Sequence, residues 1–286
     1  MDRIQIMGKT MATTISIFSE SKLAKLVGLM FAVLVIWWLW IYGQGTQGTD
    51  DIRQLWAASY QILAIFGAIA GFFISKFWGG YNSTVGRAIL MFSVGLLFQS
   101  FGQSVYSYYI YFAQIDVPYP SIGDVGFFGS IFFYIYGAFL LSKASGMQIS
   151  LKSFDKKMQA FFIPLVVLAL SYLAFLRNYE FDLSNKLKIF LDFGYPLGQA
   201  LYISIAILVF MLSYKYLGGL MKKPLSLLLF ALAFQYFSDY SFLYQASRGS
   251  WLVGGINDLF YAISYFLMSI ALIYIGVTFR KIQEAN

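Results

Sequence analysis

The sequence predicts an all-α, polytopic membrane protein: one bundle of eight transmembrane helices with both termini in the cytoplasm. Three observations predict this: the composition, the spacing of the apolar runs and the distribution of basic residues. Hydrophobic residues make up 59% of the chain and charged residues 12%, whereas charged residues make up about a quarter of soluble domains. The chain therefore has too few charged side chains to cover a water-facing surface of its size.

Each membrane-spanning helix needs roughly 20 predominantly apolar residues. Eight such runs follow one another along the chain, and the segments between them are too short for a soluble domain. We therefore expect a single transmembrane domain over residues 1–286, with a cytoplasmic N-terminal segment at 1–24 and a cytoplasmic tail at 280–286. The predicted spans are Lys25–Tyr42, Leu55–Phe77, Arg87–Phe112, Ile122–Leu141, Met158–Leu176, Lys188–Leu212, Pro224–Tyr244 and Trp251–Phe279.

The basic residues set the predicted orientation. Fifteen of the 20 lie in the N-terminal segment, the segments after spans two, four and six, and the tail. Lys and Arg concentrate in cytoplasmic loops, so this distribution predicts a multi-pass protein of the cell membrane with cytoplasmic ends. It also accounts for the net charge of +7, so no nucleic-acid partner is expected. The expected partners are membrane lipids and another protein in the membrane.

Small residues, prolines and tryptophans mark particular places in the predicted helices. Gly67 and Gly71 form a GxxxG pattern in span two, which is typical either of tight packing within a bundle or of a dimer face. Pro164 and Pro196 free backbone carbonyls in spans five and six and can kink them. Four tryptophans are expected to anchor the chain at the membrane interface: Trp37, Trp38, Trp40 and Trp251.

Four carboxylates lie within the predicted spans. Asp124, Asp192 and Asp258 are near the outer starts of spans four, six and eight, where an Asp can cap a helix or favour its positive dipole end. Capping and a functional role are both open for these three. Asp239 lies roughly 23 Å along span seven, in its C-terminal half, where capping does not apply. A carboxylate inside the membrane is costly and is a functional hypothesis by default.

Other polar residues share the level of these carboxylates. Gln99 and Gln103 are four residues apart, as are Gln235 and Asp239, so each pair shares one helix face. The inner halves of spans four, six and eight are almost purely apolar. We therefore predict an outward-opening polar cavity, with a ligand-binding set of Gln99, Gln103, Asp124, Asp192, Gln199, Gln235, Asp239 and Asp258.

The residue inventory excludes several kinds of chemistry. The chain has no Cys and no His, which excludes disulfides, thiol catalysis and haem or metal sites with Cys or His ligands. No lysine lies deep within a span, so a retinal Schiff base is not expected. No nucleotide-binding, kinase or serine-hydrolase motif occurs. We therefore predict that the chain is not an enzyme, with no particular cofactor indicated.

Short phrases at the helix starts carry a resemblance. They include Tyr119-Pro120-Ser121-Ile122-Gly123-Asp124, Tyr195-Pro196-Leu197-Gly198-Gln199, Ser238-Asp239-Tyr240 and Gly254-Gly255-Ile256-Asn257-Asp258. Residues 86–279 resemble the multi-helix membrane sensor regions that precede GGDEF diguanylate cyclase or histidine kinase modules in some bacteria. The resemblance implies a sensory or ligand-binding module. The family's Asp in the second phrase is Gln199 here, which weakens a cation role. No output module precedes Asn286, so signalling is expected to require a partner.

Three functions fit these observations. The first is a sensor-like or scaffold module that recognises a small ligand, lipid or partner from the outer side. The second is an ion-coupled transporter that uses Asp239, and the third is an accessory subunit of a larger membrane complex. A transporter needs access from both faces and broken helices near the midplane. The apolar inner half of the spans therefore favours the first and third functions.

Overall fold

A computed structural model describes residues 17–45, 50–144, 152–177, 179, 181, 183–213 and 219–284. The described residues form helices and no strand, and eight helices are long and apolar enough to span a membrane. This confirms the all-α class and the predicted number of helices that are long and apolar enough to span a membrane. The helices are α1, Lys22–Gly43; α2, in two segments, Asp51–Ser59 and Ile62–Phe77; α3, Thr84–Ser107; α4, Gly123–Ala144; α5, Phe154–Ser171; α6, Lys186–Ser213; α7, Lys222–Ser247; and α8, Ile256–Glu284.

The helix ends differ from the predicted ones where polar residues begin or extend a helix. Ser21 precedes α1 and its side chain accepts a hydrogen bond from the Ala24 amide, while Ser83 does the same for Gly86 in α3. Such caps satisfy backbone donors and are not visible to a hydropathy pattern. π-Helical turns at Tyr108–Phe112 and Tyr172–Leu176 continue α3 and α5 toward the predicted ends of those spans.

Six helices pack in a closed ring. In order around the ring they are α2, α3, α4, α6, α7 and α8, and α8 returns to α2. Helix α1 packs on the outside against α8 and α2, and α5 packs outside against α6. The most apolar stretch of α8 is 72% buried, whereas that of α5 is 11% buried. The ring therefore encloses the interior, and α5 is the most peripheral helix.

The GxxxG pattern packs within the bundle. A Cβ atom added at Gly67 would meet the Ser269 side chain of α8, and one added at Gly71 would meet Ser93 of α3 and then Leu272 of α8. Ser269 donates a hydrogen bond to the Leu63 carbonyl at 2.9 Å. These glycines therefore let α2 approach α8 closely, which accounts for the pattern without a dimer face.

Two of the predicted interface tryptophans face the protein instead. Trp38 is buried, and its indole N–H donates to the Gly254 carbonyl at 3.0 Å. Trp251 lies against the cavity described below. The interface prediction was wrong for Trp38. A tryptophan near the end of a span can bind at the membrane surface or pack between helices, and its position in the sequence does not distinguish the two.

One end of the ring is filled by aliphatic side chains. This end carries the C-terminus of α8, where Lys281 and Glu20 form an ion pair of 2.7 Å. Its buried side chains come from all six ring helices, so the interior is closed here. They include Ile74, Ile89, Leu140, Leu141, Leu212, Leu228, Ile273 and Ile275.

Candidate polar cavity

A cavity of about 490 Å³ lies inside the ring at the end opposite the Lys281–Glu20 ion pair. Seven of the eight predicted site residues line it: Gln99, Gln103, Asp124, Asp192, Gln199, Asp239 and Asp258. The eighth, Gln235, is not part of the lining but donates to Asp239 Oδ1 at 2.9 Å. The structure thus brings these residues together, while their role as ligand contacts stays a prediction.

Asp239 is buried and is held by neutral donors. Besides the Gln235 amide, the Tyr202 hydroxyl donates to its Oδ2 at 3.1 Å, and Tyr261 lies close by. Gln235 in turn accepts a hydrogen bond from Ser264 Oγ at 2.5 Å. The deepest carboxylate therefore belongs to a network that joins α6, α7 and α8, as buried polar groups require.

Asp124 and Asp258 cap the starts of their helices. Asp124 Oδ2 accepts from the Ser121 amide at 2.7 Å, and Asp258 Oδ2 accepts from the Gly254 amide at 2.7 Å. The other oxygen of Asp124 accepts from the Tyr195 hydroxyl of α6 at 2.7 Å. In each carboxylate, one oxygen therefore accepts the capping hydrogen bond, and both side chains still line the cavity.

Asp192 does not cap its helix, because α6 begins at Lys186. Its two oxygens accept from the hydroxyls of Tyr119, at 2.7 Å, and Tyr179, at 2.8 Å. Tyr119 lies between α3 and α4 and Tyr179 between α5 and α6, so Asp192 ties two loops together. Burial, and then the bond to Asp192, raise the pKa of Tyr119 well above its usual value, which keeps its hydroxyl protonated as a donor.

We expect the double substitution Tyr119→Phe/Tyr179→Phe to loosen these loops. Each hydrogen bond to a charged group contributes about 1.5–3 kcal/mol, so the amides of residues 113–122 should exchange with deuterium about tenfold faster or more. Tyr108→Phe is the matched control, since that ring is exposed. Equal exchange in all three proteins, measured by mass spectrometry, would contradict the proposed tie.

The glutamines of the cavity differ in how well they are satisfied. Gln99 donates to Ser130 Oγ at 2.8 Å and accepts from the Tyr265 hydroxyl at 3.1 Å, and Gln103 donates to the Ala57 carbonyl at 3.1 Å. Gln199 is 4% exposed, and its Oε1 has no hydrogen-bond partner among the described residues. Gln199 is therefore the site residue with an unmet acceptor.

Aromatic side chains and one cation complete the lining, and sequence reasoning missed them as site residues. Eight aromatic residues line the cavity, and Lys188 lines it as well. Helical spacing gave a usable signal, because Tyr195 and Gln199 are four residues apart and Asp258 and Tyr261 are three apart. The eight aromatic residues are Tyr60, Tyr106, Tyr119, Phe127, Tyr195, Phe242, Trp251 and Tyr261.

No protein-family model, curated protein or solved structure matches the chain. The resemblance of residues 86–279 to bacterial sensor regions therefore stays a prediction. The cavity and the helices that enclose it are therefore the basis for a proposed function.

Proposed function

We propose that this protein is a non-enzymatic, sensor-like membrane module that binds a small ligand from the outer side of the cell membrane. One observation carries the proposal: a polar cavity of about 490 Å³ opens inside a ring of six helices whose opposite end is filled by aliphatic side chains. Small-molecule sites typically occupy about 300–1,000 Å³ and combine apolar walls with a few polar groups. A site open to one side suits recognition.

The basic residues support this orientation. Fifteen of 20 lie in the N-terminal segment, in the segments after spans two, four and six, or in the tail, and Lys and Arg favour the cytoplasmic side. With both termini in the cytoplasm, the loops that meet at Asp192 lie outside the cell.

Cysteine labelling tests the orientation. The chain has no natural Cys, so Asp116→Cys, between α3 and α4, and Ser153→Cys, before α5, each give a single reactive thiol at an exposed position. An impermeant maleimide should label Asp116→Cys on intact cells and Ser153→Cys only after permeabilisation. Labelling of both variants from the same side would contradict the proposed topology.

The aliphatic end of the ring supports ligand binding over transport. A carrier exposes its site alternately to both faces, whereas the ring interior is packed with buried aliphatic side chains between the cavity and the Lys281–Glu20 end. The remaining alternative is an accessory subunit of a larger complex. The exposed apolar surface of α5 fits contact with another membrane protein and contact with lipid equally well.

Native mass spectrometry of the protein, extracted from its own membranes into lipid nanodiscs, separates these functions. We expect the chain to carry a small-molecule adduct that Asp239→Asn loses. Asp116→Asn is the matched control, because this carboxylate is exposed and does not line the cavity. A bound protein chain in place of a small molecule would favour the accessory-subunit function instead.

A further inference from the structure

We infer that the ligand of this cavity is a protonated organic amine, held between the Asp239 carboxylate and the side-chain oxygen of Gln199. The inference rests on the proposed binding function and specifies the chemical class of the ligand. The ammonium group would sit at the carboxylate, and the carbon body would lie against the aromatic walls.

The four carboxylates of the cavity differ in the positive charge that surrounds them. Lys188 lies one helical turn before Asp192 on the same face of α6, and Arg53 acts electrostatically on Asp258. Asp124 lies in the first turn of α4, where the helix dipole favours a negative charge. Each of these three carboxylates therefore lies near a basic side chain or at the positive end of a helix.

Asp239 has no such compensation within the described part of the chain. Its hydrogen-bond partners, Gln235, Tyr202 and Tyr261, are all neutral. It lies in the C-terminal half of α7, away from the positive end of the helix dipole. A buried carboxylate without a positive partner is costly. A cationic ligand would remove this cost when it binds.

Gln199 has a hydrogen-bond acceptor without a partner. The side chain is 4% exposed and lines the cavity, and its Oε1 has no hydrogen-bond partner among the described residues. Tyr202 lies three residues further along α6 and donates to Asp239, so Gln199 shares the helix face that meets this carboxylate. An acceptor and a carboxylate that line the same cavity call for N–H donors, and an ammonium group supplies up to three.

The size and walls of the cavity favour an organic cation over a bare metal ion. A cavity of about 490 Å³ is far larger than one ion needs, and no group of three or more acidic side chains suited to a metal ion occurs in the described residues. The aromatic side chains of Tyr60, Trp251 and Tyr261 line the same space. Aromatic faces attract cations and accept an apolar body.

Two matched sets of probes test the inference on the full chain in lipid nanodiscs. Phenethylamine, 2-phenylethanol and phenylacetate share one aromatic body and differ in charge; hexylamine, hexanol and hexanoate do the same for an aliphatic body. Thermal stability and equilibrium binding are measured for each. We expect saturable stabilisation by the amine of at least one set, with about tenfold or greater preference over its neutral and anionic counterparts.

Variants locate the effect. Asp239→Asn should abolish the preference for the amine, and Gln199→Leu should weaken amine binding about tenfold, while Asp116→Asn should bind as the wild type does. Equal or tighter binding of neutral or anionic probes, still weakened by Asp239→Asn, would overturn the amine inference and leave ligand binding standing. Absence of any binding that depends on Asp239 would overturn both the inference and the proposed function.

Discussion

Asp239→Leu is expected to abolish ligand-dependent stabilisation and to lower the free energy of unfolding by about 1–3 kcal/mol. The substitution leaves the Gln235 amide and the Tyr202 hydroxyl, which donate to the carboxylate at 2.9 and 3.1 Å, without an acceptor. Both donors are buried. Leucine cannot replace the bonds that connect α6 and α7 through this carboxylate.

Asp239→Asn separates the charge from the hydrogen bonds. The Asn oxygen can accept from Gln235, and its amide can donate to the Tyr202 oxygen, because a hydroxyl both donates and accepts. We therefore expect this variant to unfold at a temperature close to that of the wild type, yet to lose the response to an amine. The variant lacks the negative charge and one of the two acceptor oxygens, and its amide can re-pair with the Tyr202 oxygen.

Thermal unfolding with and without phenethylamine measures both effects together. A ligand at a concentration of a hundred times Kd stabilises the folded state by about 2.7 kcal/mol, which is a readily measured shift. Lost stability in both variants with an unchanged ligand response would assign Asp239 a purely structural role and favour the scaffold function. A normal response in Asp116→Asn shows that the loss is specific to the cavity.

The sequence allowed prediction of the helices and of the depth of the polar residues. The thickness of the membrane sets the length of an apolar run that can span it. Such runs can therefore be counted in the sequence without knowledge of the tertiary packing. Gln235 and Asp239 were paired correctly because four residues return a helix to the same face. In such cases the relevant physics is local, and the sequence is sufficient to reveal it.

The role of Asp192 depended on contacts that the sequence does not encode locally. Its partner Tyr119 is 73 residues away along the chain, and the order of helices around the ring decides that the two meet. The aromatic walls were missed for a related reason: tyrosine suits a membrane interface and a polar cavity equally well. Only the packing of α6 against α4 and α7 distinguishes these environments.

The backbones of α3 and α4 approach each other closely where Gly126 meets Gly102. A Cβ atom added at Gly126 would lie 2.5 Å from the Gly102 nitrogen and 2.8 Å from the Gly102 Cα. These are backbone atoms, which cannot rotate away as a side chain can. We therefore expect Gly126→Ala to force α3 and α4 apart and to lower the free energy of unfolding by about 1–3 kcal/mol.

Gly129→Ala, one turn further along α4, is the matched control. Its Cβ would meet only the ring of Phe98, which can turn, and alanine is favoured over glycine in a helix by about 1 kcal/mol. We expect this variant to remain close to wild-type stability.

Separation of α3 from α4 would also move Gln103 away from Asp124 across the cavity, so Gly126→Ala should lose ligand stabilisation as well. Equal stability and equal ligand response in the two variants would show that this contact does not set the spacing of the cavity walls.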